Sequence, residues 1–222
     1  MPPLPSFQAV IFDMDGLLFD TEALYQRAWP EVGRAMGLTI TAEIARETIG
    51  VATKESEAIF QKYCGISFSI DHAFAEMKAW LIAHVERYGL PEKPGARELL
   101  TLLHMRKFPI ALGTSNIEEV AHAFLDEAGL RNYFSVIVCG DMVDKVKPAP
   151  DIFLRCAKEL KIPPADCLVL EDSPVGIHAA HAAACIPVLI PDLIDANKET
   201  KELAHAVYPS LLDLIPLIER AK

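Results

Sequence analysis

The chain has 222 residues, 51% of them hydrophobic and 23% charged, and a formal net charge of −10. That length suits one large domain or a core with a smaller insert, and the excess of acid argues against a nucleic-acid binder, which is more often basic. The five cysteines (64, 139, 156, 167 and 185) contain no CxxC pair, "MPPLPSF" shows no signal-peptide pattern, and no run approaches 18 apolar residues. The expectation is a cytoplasmic protein with reduced thiols and no membrane span.

Residues 7–12, "FQAVIF", read as a short buried strand, followed at once by Asp13, Asp15 and Gly16. Residues 20 to about 90 then read as helix after helix, over 21–37, 41–48, 54–63 and 71–88, with Trp29, Phe60, Phe74 and Trp80 as the core of that insert. A stretch this long and this patterned is no loop. "GLPEKPG" (89–95) has the composition of a hinge. From there strand and helix alternate. Helical patterns cover 95–107, 117–130, 149–160 and 173–184; apolar runs cover 108–114, 134–140, 167–172 and 186–191. The runs are continuous rather than alternating, as in parallel strands covered on both faces. The expected fold is α/β: a doubly wound parallel-sheet, Rossmann-like core over 1–19 and 90–222, with an inserted all-helical cap domain over 20–89.

The chemistry-bearing residues fall at strand ends. Asp13 and Asp15 follow the first strand, and Thr114, Ser115 and Asn116 the second. Asp141 and a loop with Lys145 and Lys147 follow the third, and Glu171 and Asp172 end the fourth. In open α/β sheets the ligand crevice lies outside the carboxyl ends of the strands, so carboxylates, a hydroxyl and a lysine are expected to converge there. Clustered like charges repel, a divalent cation removes the conflict, and all-oxygen ligands suit Mg²⁺. Such a crevice fits phosphoryl transfer, with a carboxylate as a possible nucleophile. Strict alternation would point Asp13 and Asp15 apart; Gly16 permits a sharp turn that returns Asp15 toward Asp13.

These residues resemble the four motifs of the haloacid dehalogenase superfamily of aspartate-nucleophile phosphohydrolases. "DMDG" (13–16), "LGTSN" (112–116), "KPAPDIF" (147–153) and "LVLEDSPVGIHAA" (168–180) occur in the family's order. "GLLFDTE" and the helical insert are similar to the branch containing β-phosphoglucomutase and phosphoglycolate phosphatase. The resemblance implies that Asp13 is the nucleophile and a metal ligand. It implies that Asp15 is the general acid and base and lends a backbone carbonyl to the metal. Thr114, with Ser115 and Asn116, would hold the phosphoryl oxygens, and Lys147 rather than Lys145 would neutralise their charge. Asp172 and Glu171 would serve the Mg²⁺ ion, Glu171 directly or through a neighbour.

Two departures bear on activity. Tyr25 stands where the mutase pattern has a histidine, and Ile117, Glu118 and Glu119 stand where it has a basic residue. Both weaken a second phosphate site. The reading is therefore a Mg²⁺-dependent phosphomonoester hydrolase for a small, sugar-phosphate-like metabolite. It is expected as a monomer without nucleic-acid or membrane partners. A phosphomutase or a non-catalytic phospho-acceptor are the alternatives. Specificity is expected from the cap, at Glu22 and at Lys54 in "GVATKES" (50–56).

Overall fold

The computed structural model describes residues 4–48, 53–192 and 197–220. The chain divides into two compact units, Met1–Asp20 with Pro91–Lys222, and Thr21–Leu90.

The first unit is built on a six-stranded, wholly parallel sheet. Its strands are β1 (Ala9–Phe12), β2 (Ile110–Gly113), β3 (Val136–Val138), β4 (Cys167–Glu171), β5 (Ile186–Leu189) and β6 (Ala206–Val207), in the order β3-β2-β1-β4-β5-β6. The order reverses about β1, so the ends of β1 and β4 border the switch point where such sheets bind ligands. Ala9, Ile11, Ala111, Val138, Cys167 and Val169 form one core face with the helices 151–160 and 174–182. The alternate residues Val10, Phe12, Leu112, Leu168 and Leu170 are just as fully buried. Burial on both faces is why these strands are apolar throughout. The first three strands are shorter than the apolar runs that announce them, since the aromatics that open those runs, Phe7, Phe108 and Phe134, lie ahead of the ladder and pack on other rings. Phe7 stacks on Phe108 at 5.2 Å, and Phe134 meets Phe12 edge-on at 6.3 Å.

The second unit carries α1 (Glu22–Ala35), α2 (Ala42–Arg46), α3 (Thr53–Cys64) and α4 (Ile70–Tyr88). Trp29 and Phe60 pack at 4.4 Å, and Phe60 and Phe68 at 4.9 Å. The expected core role of Phe74 and Trp80 does not hold. The buried stripe of α4 is Ile70, Ala73, Met77, Leu81 and Val85, spaced by three or four residues. Phe74 falls one position off it and is exposed, and Trp80 is half-buried and stacks on His84 instead.

In the first unit the helices are α5 (Ala96–Met105), α6 (Glu118–Glu127), α7 (Asp151–Leu160), α8 (Pro174–Ala182), α9 (Lys198–Leu203) and α10 (Ile215–Arg220). β6, α9 and α10 had no counterpart in the sequence reading; each is only two to six residues long. Among the described residues no helix is long and apolar enough to cross a membrane.

Candidate active site

Asp13 is placed by the sheet itself. Its N–H donates to the Leu170 carbonyl at 3.0 Å, which carries the β1–β4 ladder one residue past the strand. The chain then turns at Gly16, whose φ of +78° is one that L side chains rarely adopt. The Gly16 N–H donates to the Phe19 carbonyl at 2.9 Å and the Leu18 N–H to the Met14 carbonyl at 2.9 Å. This turn brings the Asp15 carboxylate to Asn116, whose Nδ2 donates to Asp15 Oδ2 at 3.2 Å.

Thr114 continues β2 past its last strand residue, its N–H donating to the Val138 carbonyl at 3.0 Å. Its buried hydroxyl accepts from the Asn116 N–H at 3.0 Å. Ser115 is exposed. Gly140 allows this loop its place, because a side chain there would run into the Ser115 carbonyl.

Lys147 reaches in from the loop after β3. Its side chain is 5% exposed. Nζ donates to Asp13 Oδ1 and, at 2.6 Å, to Glu171 Oε1, and lies 4.8 Å from the centre of the Phe153 ring. Glu171 ends β4. Its other oxygen, Oε2, accepts from the Ser173 N–H at 3.1 Å and the Ser173 hydroxyl at 2.9 Å. Ser173 also caps α8, its Oγ accepting from the Gly176 N–H at 3.1 Å. The Glu171 carboxylate lies where a side chain on residue 176 would be, so only glycine fits there. The roles of Ser173 and Gly176 were not legible beforehand, although "EDSPVG" does carry the Ser–Pro signature of a helix start.

Asp13, Glu171 and Asp172 bring carboxylate oxygens within 4.8 Å of one another. Burial pushes the Asp13 carboxyl up to about 7; Lys147 opposes this, while Glu171 and Asp15 add to it. Burial likewise holds Asp172 well above the ordinary carboxylate range, aided by Glu171, Asp13 and Asp192. Burial works against the Lys147 ammonium, but the adjoining Asp13 and Glu171 outweigh it and raise its pKa. Three carboxylates face one ammonium, leaving a formal excess of two negative charges. A divalent cation with oxygen ligands matches that donor set and that charge.

Asp141 stands apart from this cluster. Its Oδ1 accepts from the Glu118 N–H at 3.1 Å, so it serves the start of α6 rather than the crevice. In the helical unit Lys54 is exposed on α3. Glu22 opens α1, but its side chain lies outside the described residues, as do residues 50–52 of the "GVATKES" segment.

Comparison with known proteins places the chain in a family. The family profile of haloacid dehalogenase-like hydrolases matches residues 7–184. A phosphorylated carbohydrates phosphatase of Thermotoga maritima is 35% identical over 179 residues, 79% of this chain and 81% of that one. A probable pseudouridine-5'-phosphatase of Drosophila melanogaster is 36% identical over 214 residues, 93% and 90% of the two chains. Among solved structures, CbbY from Rhodobacter sphaeroides in complex with phosphate superposes with a TM-score of 0.84 at 27% identity, covering 96% of this chain and 99% of that one. The protein is an enzyme of the haloacid dehalogenase-like hydrolase family, related to phosphatases.

Proposed function

We propose that the protein is a Mg²⁺-dependent phosphomonoester hydrolase that works through an aspartyl-phosphate on Asp13. The observation that carries the reading is the buried Lys147 ammonium bridging Asp13 and Glu171 beside Asp172. It supplies a nucleophilic carboxylate, a fixed positive charge and oxygen donors for a cation at one strand-end crevice.

In the first half-reaction an Asp13 oxygen bonds to phosphorus as the bond from phosphorus to the alcohol oxygen breaks. Asp15 gives its proton to the departing alkoxide. In the second, Asp15 takes a proton from water, the new hydroxide oxygen bonds to phosphorus, and the bond to Asp13 breaks. Asn116 holds one Asp15 oxygen through both steps. The Lys147 ammonium offsets charge on the phosphoryl oxygens and favours ionised Asp13, and Glu171 fixes its position. The Thr114 hydroxyl, turned by its bond from the Asn116 N–H, is the donor to a phosphoryl oxygen, with Ser115 beside it. Asp13, Asp172, Glu171 and the Asp15 carbonyl would hold Mg²⁺, which when bound neutralises charge on the transferring group.

The helical unit acts as the cap and selects the substrate, with Glu22 and Lys54 as its contacts. The relatives' names support a small phosphorylated metabolite of the sugar-phosphate kind. The five free thiols suit a reducing cytoplasm. The test is hydrolysis of an aryl phosphate with Mg²⁺, with EDTA, and by Asp13→Asn, followed by a panel of sugar and nucleoside monophosphates. Activity that needs both Mg²⁺ and Asp13 is expected. Turnover unaffected by Asp13→Asn would overturn the mechanism.

A further inference from the structure

An ion pair outside the machinery above touches the same crevice. Asp192 follows β5, at the same end of the sheet as Asp172. The Ile190 N–H donates to the Glu171 carbonyl at 2.7 Å, which carries β5 alongside the end of β4. Lys93 Nζ donates to Asp192 Oδ1 at 2.5 Å, and the two side chains are only 24% and 10% exposed. The Lys93 backbone is tied to the turn after Asp15, its N–H donating to the Leu18 carbonyl at 2.8 Å. The other Asp192 oxygen faces Gly16: a methyl group there would stand 3.2 Å from Asp192 Oδ2 and would overlap Asp172 Oδ2. The Asp172 and Asp192 carboxylates therefore meet over one glycine.

We propose that Asp192 and Lys93 are positioning residues of the metal centre: Asp192 adds its charge beside Asp172, and Lys93 holds it back and offsets it, so the pair sets how tightly the cluster binds its cation. This rests on the reading of Asp13 and Asp172 as metal ligands. Its signature is one of sign. Loss of the acid leaves an unopposed ammonium near the cation and weakens binding. Loss of the lysine leaves an unopposed carboxylate, free to turn toward Asp172, and tightens binding. One charge acting on a divalent ion a few ångströms away in water-like surroundings changes affinity by about tenfold. A pair that served only to brace the fold would shift both variants the same way.

The experiment is binding of Mn²⁺ alone, with the free ion read by electron paramagnetic resonance, and its displacement by Mg²⁺, in the absence of substrate. Wild type, Asp13→Asn, Asp192→Asn, Lys93→Met and the double variant are compared, each checked for cooperative melting. The expected result is binding about tenfold weaker in Asp192→Asn, several-fold tighter in Lys93→Met, and near wild type in the double variant. Shifts of the same sign, or none beyond about twofold, overturn the inference while leaving the metal reading intact. Absence of binding in the wild type, or binding indifferent to Asp13→Asn, overturns both. If Asp192→Asn does not fold, Lys93→Met decides alone: tighter binding supports the inference, and unchanged or weaker binding overturns it.

Discussion

Gly176→Ala is a substitution that ordinary helix energetics would favour. Gly176 lies in the first turn of α8 and its φ is not positive, so alanine fits the backbone and should gain about 1 kcal/mol of helix propensity. The crevice reverses the sign. The new methyl would overlap the carboxyl carbon and both oxygens of Glu171. A loose surface glutamate would swing aside at little cost, but Glu171 is 1% exposed and its carboxylate accepts from Lys147 Nζ, the Ser173 N–H and the Ser173 hydroxyl. Hydrogen bonds to a charged group are worth about 1.5–3 kcal/mol each. Losing all three at the low end, less the helix gain, gives a net destabilisation of about 3.5 kcal/mol. Lys147 would lose one of its two carboxylate partners, and a displacement of about 1 Å at a reacting centre costs roughly 10²-fold in rate. Urea denaturation in EDTA, together with aryl phosphate turnover in Mg²⁺, tests both numbers. A variant as stable as wild type with undiminished turnover would refute the reasoning, because it would show that Glu171 leaves its place freely.

Lys147→Met should unfold more readily than wild type by about 3–5 kcal/mol, since it strips Asp13 and Glu171 of their shared buried cation, and should abolish turnover; a melt like that of wild type would contradict the pairing. The stability of the metal-free protein should fall as pH rises from about 4 to about 7. Folded Asp13 keeps its proton up to about 7, against 3.8 for an ordinary aspartate, so its contribution is fully present below the lower value and lost through the upper one, by up to about 4 kcal/mol. Asp172 has the same sign, and the raised Lys147 changes nothing in this window. Saturating Mg²⁺ should flatten the slope, and so should Asp13→Asn; denaturation midpoints across pH, with and without EDTA, check both. Under native conditions a thiol reagent should label Cys64 first, because the other four cysteines are buried, and burial that raises the Cys64 pKa should make even that reaction slow. Mass spectrometry of the time course would show otherwise if Cys139, Cys156, Cys167 or Cys185 reacted at the same rate.

The sequence by itself determined the class of the fold and pointed to the strand ends as the place to look for its chemistry. Continuous apolar runs alternating with helical patterns are the pattern of a parallel sheet covered on both faces, and ligand-binding residues in such a sheet collect at the strand ends. Both are local signals, written within a few residues, and the motifs that resemble the family's already held Asp13, Lys147 and Glu171, which the structure brings into contact. The short C-terminal elements carried too few residues for a period to show, and the exposure of Phe74 depended on which stripe of α4 faces inward.

Only the tertiary structure decided which side chains meet. Lys147 lies 134 residues from Asp13, Asn116 lies 101 from Asp15, and Asp192 lies 99 from Lys93. It also decided that Asp141, a strand-end acid like the others, spends its carboxylate on α6, and that Glu171 rests against a glycine five residues further on. The meeting of Asp13 with Lys147 and Glu171 depends on the register of β1 against β4, where a shift of one residue would turn Asp13 to the other face, and the meeting of Asp15 with Asn116 depends on the turn at Gly16. Periodicity along the chain carries no information about the register of β1 on β4, which is fixed by packing between segments far apart in sequence, nor about Glu171 and Gly176, close in sequence but brought together by the turn into α8.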